Sequence, residues 1–457
     1  VKHFDFSKVG KLAEDFFHAN TSPALIVGAI RGGKLEFSQS FGEIDLEKKT
    51  AVDGSSIFPI ASMTKSFVAA SIMKLRDDRK LTLDSIAKDF VPQLNHDKRW
   101  DYLTVRDLLS HQSGLPYDDA WADRHAGISN DELSEIFARP FTYACEPREQ
   151  YLYSNLGYMI LGRIVSEASG RPLQQFVTEK LLKPLSLDST VWGVGKGMNP
   201  ELKRFARGYV SRSGKFIEEL FADSVGDAGG FVGLRSSLKD LAVWVEFLCS
   251  AYHPRGSRFD SILASRSRRE MQKGVVLIPD NTPQGGHGAY ALGLRRHSCK
   301  VGWSVGHSGG LPGSGTHMRW QPELDVGVIA LSNSTYCPVW NLCETVLDVL
   351  VDGMSPVFTP NELVAQRGQE LIKLMRSGSE PNSAYIFASN FFKDCPPDLT
   401  TTLFLLVKKQ IDLAKESAPH IKFGRGLSAE VYIGTKLLFR YSLAPHEEGR
   451  VQSVEVM

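Results

Sequence analysis

The sequence predicts a mixed α/β chain of the α+β type: an antiparallel sheet flanked by terminal helices, a large helical subdomain, and a small C-terminal α+β domain. Three observations predict it. Strand-like runs occur early in the chain and return near residue 290, with a long, mainly helical stretch between them. Amphipathic helices precede the first strands and follow the last. The pattern breaks at "DGMSPVFTPNE", Asp352 to Glu362, and a new order of helices then strands begins.

In chain order, Phe6, Val9, Leu12 and Phe16 recur at helical spacing and predict a helix over residues 5–19. In "ALIVGAIRGGKLEFSQSFG" two β-rich runs flank Gly32-Gly33, a hairpin signal. After Ser62, "MTKSFVAASIMKLRDD" reads as a buried helix. From about 84 to 250 the pattern is mostly helical, as in "TVRDLLSHQSGLP" and "NLGYMILGRIVSEASGRPL", each stopped by Gly. "AYALGLRRH", "VGWSVGHSGG", "GTHMRWQ" and "VGVIALSNS" are four closely spaced strand-like runs. Val339, Leu342, Val346 and Leu350 then mark a helix. Early and late strands are expected to pair in one antiparallel sheet, with the terminal helices on one face and the helical insert against the other. A cleft is expected at that join. The division is therefore 1–355 and 356–457. In the second part, helices near 360–376 and 398–415 precede "SAEVYI", "KLLFRYSL" and "RVQSVEV", a module of cystatin- or NTF2-like order.

Bulk properties exclude several function classes. With 53 Lys plus Arg against 52 Asp plus Glu, there is no electrostatic case for nucleic acid or an acidic membrane as partner. No apolar run reaches the ~18 residues of a membrane span. The first twenty residues lack the apolar centre of a signal peptide, so the expected compartment is cytoplasmic; a signal cleaved ahead of Val1 would leave the same sequence. The six cysteines, Cys145, Cys249, Cys299, Cys337, Cys343 and Cys395, contain no Cys-x-x-Cys pair and read as free thiols. Neither a metal nor a cofactor is expected.

Ser-x-x-Lys occurs four times: Ser62/Lys65, Ser71/Lys74, Ser85/Lys88 and Ser236/Lys239. Spacing cannot separate them. Ser62 differs in context, because it follows the extended "IFPIA" and opens a helix, where free N–H groups and the positive dipole end lie near its oxygen. One turn on, Lys65 shares its side of the helix. In "YLYSNLGY", Tyr153 and Asn155 point the same way if the segment is extended, and a phenol becomes a general base where cations lower its pKa from ~10. In "GHSGGLPGSG", Gly309 and Gly310 let backbone approach a ligand, and His307 offers a hydrogen bond or charge.

Taken in order, these motifs resemble the serine β-lactamase and penicillin-binding protein family, in the branch of class C β-lactamases, D-amino-acid peptidases, esterases and acyltransferases. That family carries a Ser-x-x-Lys at a helix start, a Tyr-x-Asn in the helical domain, and a Lys- or His-x-Gly on a sheet strand. "LLSHQSGLP", "DAGGFVGLRSSLKDLAVW" and "RWQPELDVGVIALSN" resemble accessory segments, so the likeness covers about residues 5 to 352. It implies a β-lactamase/transpeptidase-like fold with Ser62 as acyl-forming nucleophile and Lys65 as its activator. Tyr153, with Lys65, passes the proton to the leaving group, and the base is left unassigned between them. Asn155 orients Lys65 or substrate, and His307 and Gly309 line the substrate strand. The backbone N–H groups of Ser62 and Gly310 form the oxyanion site.

The sequence departs from the family in places. His307 stands where β-lactamases and cell-wall peptidases usually carry Lys, which favours esterase, peptidase or acyltransferase chemistry. Arg148 replaces a common Gly. His111 looks structural, and His287 and His317 have no identifiable partner. Arg440 or Arg450 of the C-terminal module could bind a substrate's charged end. The leading expectation is a serine hydrolase acting on an ester or amide of a small molecule or short peptide. An acyltransferase or peptide cyclase uses the same acyl-enzyme, and an inert binding or scaffold protein is the reading from another class. The oligomeric state is left open.

Overall fold

The structure, a computed structural model, describes residues 6–20, 22–193, 204–219, 225–253, 257–279, 288–354, 361–378, 385–414, 417–423, 426–445 and 449–457. The chain divides into two compact units, Val1–Ser355 and Pro356–Met457.

In the first unit, helix α1 (Phe6–Ala19) leads into strands β1 (Ala24–Arg31) and β2 (Lys34–Asp45). Gly32 and Gly33 turn between them with φ of 56° and 72°, a left-handed pair that matches the twist of a two-residue hairpin. Among the described residues, the main sheet has nine strands. The remainder are β3 (Thr50–Ala51), β4 (Val276–Ile278), β5 (Gly288–Tyr290), β6 (Arg295–Cys299), β7 (Gly302–Leu311), β8 (Ser314–Gln321) and β9 (Val326–Ser332). Their order is β3-β2-β1-β9-β8-β7-β6-β5-β4. β1 pairs antiparallel with β9, from Leu25 opposite Ser332 to Arg31 opposite Val326, so the two ends of the unit close one sheet as expected.

Strands buried on both faces cannot alternate apolar and polar residues, which is why β1 and β9 read as continuous apolar runs. One face packs on α1 and α4 (Val339–Leu350) through Val9, Ala13, Val27, Val328, Val346 and Leu350. The larger core belongs to the insert. Its central helix α2 (Thr64–Asp77) is buried along nearly its whole length, which explains the absence of an amphipathic pattern there. Phe67 stacks on Trp244 at 3.7 Å, and the indole N–H donates to Ser66 Oγ at 3.0 Å.

The insert is less purely helical than its pattern suggests. Ile57–Pro59, Leu234–Ser237 and Val191–Trp192 form a small three-stranded sheet, and Gly208–Arg212 pairs with Lys215–Glu219. These strands have two to five residues, too few for a period to show. In the second unit, helices Glu362–Ser377 and Pro397–Leu413 share a core with a four-stranded sheet. The sequence reading expected three strands. The fourth, His420–Phe423, pairs Ile421 with Val431 and carries only two half-buried apolar side chains.

Candidate active site

Ser62 does not sit in the helix itself. Ile57–Pro59 is extended, Ala61–Met63 forms a single 3₁₀ turn, and α2 starts at Thr64. Ala61, just before Ser62, is held at φ +48°, a conformation that non-glycine residues adopt at a cost of order 1 kcal/mol. The other three Ser-x-x-Lys pairs are accounted for locally. Ser71 donates back to the Phe67 carbonyl, Lys74 pairs with Asp78, Lys88 pairs with Asp101, and Ser236 bonds Thr190.

Lys65 is fully buried, and its Nζ donates to Ser62 Oγ (2.9 Å), Asn155 Oδ1 (2.7 Å) and the Phe231 carbonyl (3.1 Å). All three ammonium protons are thereby used. Burial pulls its pKa down to about 7, against the opposing pull of Asp119, Asp118 and Asp123. An amine poised there exchanges its proton at neutral pH.

Asn155 opens helix α3 (Asn155–Ser169), with Ser154 as N-cap accepting from the Gly157 N–H. Asp118 accepts from the Asn155 and Leu156 N–H groups at 2.7 and 2.8 Å. Asn155 Nδ2 donates to Asp118 and Asp119 at 3.1 and 2.7 Å, which leaves Oδ1 turned to Lys65. The Tyr153 ring lies 4.8 Å from Lys65 Nζ. Its phenol, however, is pushed well above 10 by burial and by Tyr290 and Asp119, more than hydrogen bonding to Ser62 and the charge of Arg295 pull it down. A phenolate lowered by neighbouring cations is not what the resting site holds.

His307 lies on β7 at the cleft. Its Nδ1–H donates to the Ser308 carbonyl at 2.6 Å, so Nε2 accepts from Tyr290 Oη at 3.0 Å. Burial, then Arg295 and Lys65, hold its pKa well below 6.5. His307 therefore brings hydrogen bonds and no charge. Gly309 passes so close to the Ser62 turn that a Cβ there would stand 2.2 Å from the Ile60 carbonyl oxygen. A cavity of about 450 Å³ opens over Ser62, Tyr153, His307, Gly309 and Gly310.

Sequence reasoning passed over several residues of this cluster. Arg295, 6% exposed, reaches over the Tyr153 and Tyr290 rings and donates to Tyr151 Oη at 3.2 Å. Nothing in "GLRRH" distinguishes it from its neighbour. Asp118, Asp119 and Tyr290 carry no local signal either. Phe231 contributes its carbonyl and a ring 5.4 Å from Lys65 Nζ, and no sequence pattern reports a backbone carbonyl. His111 is buried among Tyr151, Tyr153, Tyr158 and Tyr290, with Nδ1 accepting from the Ser154 N–H at 3.1 Å. His317 bonds Ser308, while His287 lies outside the described residues. Arg148 has φ +70°, the conformation that suits a Gly, and repays it with two bonds to Asp107 at 2.9 and 2.8 Å. Arg440 pairs with Glu430 inside the second unit.

The Ser–Lys cluster thus lies in a fold that joins a sheet with terminal helices to a helical insert. Residues 11–342 match the family model Beta-lactamase, and the chain belongs to that family. Among curated proteins it is similar to an unguisins hydrolase of Aspergillus campestris, 26% identical over 76% of this chain and 66% of that protein. It is also similar to protein flp of Staphylococcus aureus strain MW2, 25% identical over 69% of this chain and 61% of that protein. The chain thus spans less than two thirds of the length of these relatives. An octameric penicillin-binding protein homologue from Pyrococcus abyssi shares the fold, with a TM-score of 0.66, 22% identity, and coverage of 98% of this chain and 95% of that one. No helix among the described residues is long and apolar enough to cross a membrane.

Proposed function

We propose that the protein is a serine hydrolase that forms an acyl-enzyme on Ser62 and cleaves an ester or amide bond of a small molecule or short peptide. The observation that carries this reading is Lys65, buried, 2.9 Å from Ser62 Oγ and poised near neutral pH. In its neutral form Lys65 accepts the Ser62 proton as Oγ attacks the carbonyl. The proton then passes to the leaving group through Lys65 and Tyr153, whose protonated phenol suits a donor. Asn155 holds the amine in line, and the N–H groups of Ser62 and Gly310 receive the oxyanion. Water then attacks the ester carbonyl and frees Oγ. The word hydrolase in the fungal relative's name favours water over an alcohol or amine acceptor.

Mass spectrometry after a fluorophosphonate, a β-lactam or a p-nitrophenyl ester is expected to show one adduct, on Ser62. Ser62→Ala is expected to lose it together with ester turnover, by a factor of order 10³ or more. An adduct that persists in Ser62→Ala would overturn the assignment.

A further inference from the structure

The cavity over Ser62 does not end at the oxyanion site. It continues along the other face of β7, where Arg319, His317, Trp340 and Glu344 line it. Side chains alternate along a strand, so Ser308 turns away from the face that carries His307 and Gly309. Ser308 stands opposite His317 on β8, and its Oγ lies 2.8 Å from His317 Nδ1. Two residues along the same face, Arg319 stands opposite Gly306, and Gly310 stands opposite Gly315. The glycines of this face admit close neighbours: a Cβ on Gly310 would stand 2.7 Å from the Tyr336 ring and one on Gly315 2.3 Å from the Cys337 carbonyl oxygen, and Tyr336 and Cys337 line the cavity beside them. Helix α4 roofs the hollow with Trp340 and Glu344.

The polar groups inside are incompletely satisfied. His317 and Arg319 are each 3% exposed, yet His317 Nε2 and Arg319 Nε have no hydrogen-bond partner among the described residues. Among the described residues, the carboxylate paired with Arg319 is Glu344, 3.2 Å from Nη1 and itself 47% exposed at the side chain. A buried guanidinium held by one half-exposed contact is under-compensated, and it retains a donor for a second acceptor. Meanwhile, the position where relatives carry a charged Lys holds the neutral His307. A fixed cation that could neutralise an anionic substrate group thus stands behind the strand.

We propose that this hollow is a specificity pocket in which Arg319 and His317 receive a carboxylate carried by one arm of the substrate; the proposal rests on the acyl-enzyme reading above. Glu344 competes with that carboxylate for the guanidinium and sets how strongly it is preferred. His297, a further lining residue held neutral by burial with a pKa of about 3, adds no charge of its own.

The test compares esters that end in a carboxylate with neutral isosteres of the same length. The carboxylate is placed on the acyl arm in one series and on the leaving arm in the other. Fluorophosphonate labelling of Ser62 is run beside every assay. In one series the wild type is expected to favour the carboxylate by at least about tenfold in kcat/KM, the factor of one charge-assisted hydrogen bond. Arg319→Gln should bring that ratio near one. Glu344→Gln, on the half-exposed partner, should raise the ratio. If Arg319→Gln fails to label and is therefore misfolded, the Glu344→Gln arm decides. Labelling of Ser62 with no carboxylate preference in either series, or a preference that neither substitution moves, would overturn the pocket and leave the acyl-enzyme reading standing. Absence of labelling in the wild type would remove both.

Discussion

Asn155 Oδ1 accepts from Lys65 Nζ at 2.7 Å, and its own amide is gripped by Asp118 and Asp119. Ninety residues separate the pair along the chain. The carboxylates fix which way the amide faces, so the acceptor that meets Lys65 is set by residues that do not themselves touch it.

Because Lys65 has a pKa of about 7, kcat/KM for a neutral ester should rise with pH through an apparent pKa near 7 and level off above it. Asn155→Ala removes an acceptor that favours the charged amine. The rise should then move to lower pH, with kcat reduced by about a hundredfold through misplacement of Lys65. A pH–rate profile whose limb stays put in Asn155→Ala would contradict the role given to the amide.

The same shift acts on stability. Folding lowers the Lys65 pKa from about 10.5 to about 7, so between those values the unfolded chain binds a proton that the folded chain does not. Stability from this group therefore rises with pH across that window, by at most about 1.4 kcal/mol per unit. Lys65→Met should abolish turnover and flatten this rise. Urea unfolding of both proteins between pH 7 and 10 measures the difference.

Gly309→Ala places a methyl against the Ile60 carbonyl and Thr316 Oγ1, 2.2 and 2.4 Å away before any relaxation. The strand must retreat from the Ser62 turn. A displacement of about 1 Å should cost on the order of a hundredfold in kcat/KM. Circular dichroism should remain near wild type, since the strand edge moves without losing its partner β8.

Arg163 and Asp227 form a buried pair at 2.6 Å, with side chains 8% and 2% exposed. It ties α3 to the segment that ends in Phe231, the carbonyl partner of Lys65. Arg163→Met leaves Asp227 buried with Ser166 but without a cation, and should destabilise the protein by roughly 3 kcal/mol. Denaturant titration at pH 7 reads this directly.

The main elements of the fold were legible because long periodic segments declare themselves. The helix of residues 6–19, the Gly32-Gly33 hairpin and the β1–β9 closure follow from apolar spacing and turn chemistry. The short strands at 191–192 and 208–219 did not, since two to five residues hold no period. Of the cluster around Lys65, Ser62, Tyr153, Asn155 and His307 announced themselves by motif and setting. Arg295, Asp118, Asp119 and Tyr290 act through position alone, and one Arg or Asp looks like another in a linear chain. Tyr153 shows a different gap. Its residue type suggests a lowered phenol, while burial beside Tyr290 and Asp119 raises it, and burial is not a property of a motif.

By itself the sequence determined the class of fold and singled out Ser62 as the candidate among four Ser-x-x-Lys pairs, because both depend on local pattern and on the order of motifs. Tertiary structure alone decided the protonation of the site. Whether Lys65 is an inert cation or an amine near neutrality depends on how much water the surrounding chains remove and on which carboxylates stand close. It also decided that the cavity over Ser62 reaches His317, Arg319, Trp340 and Glu344, since which side chains border one space depends on how strands and helix pack in three dimensions.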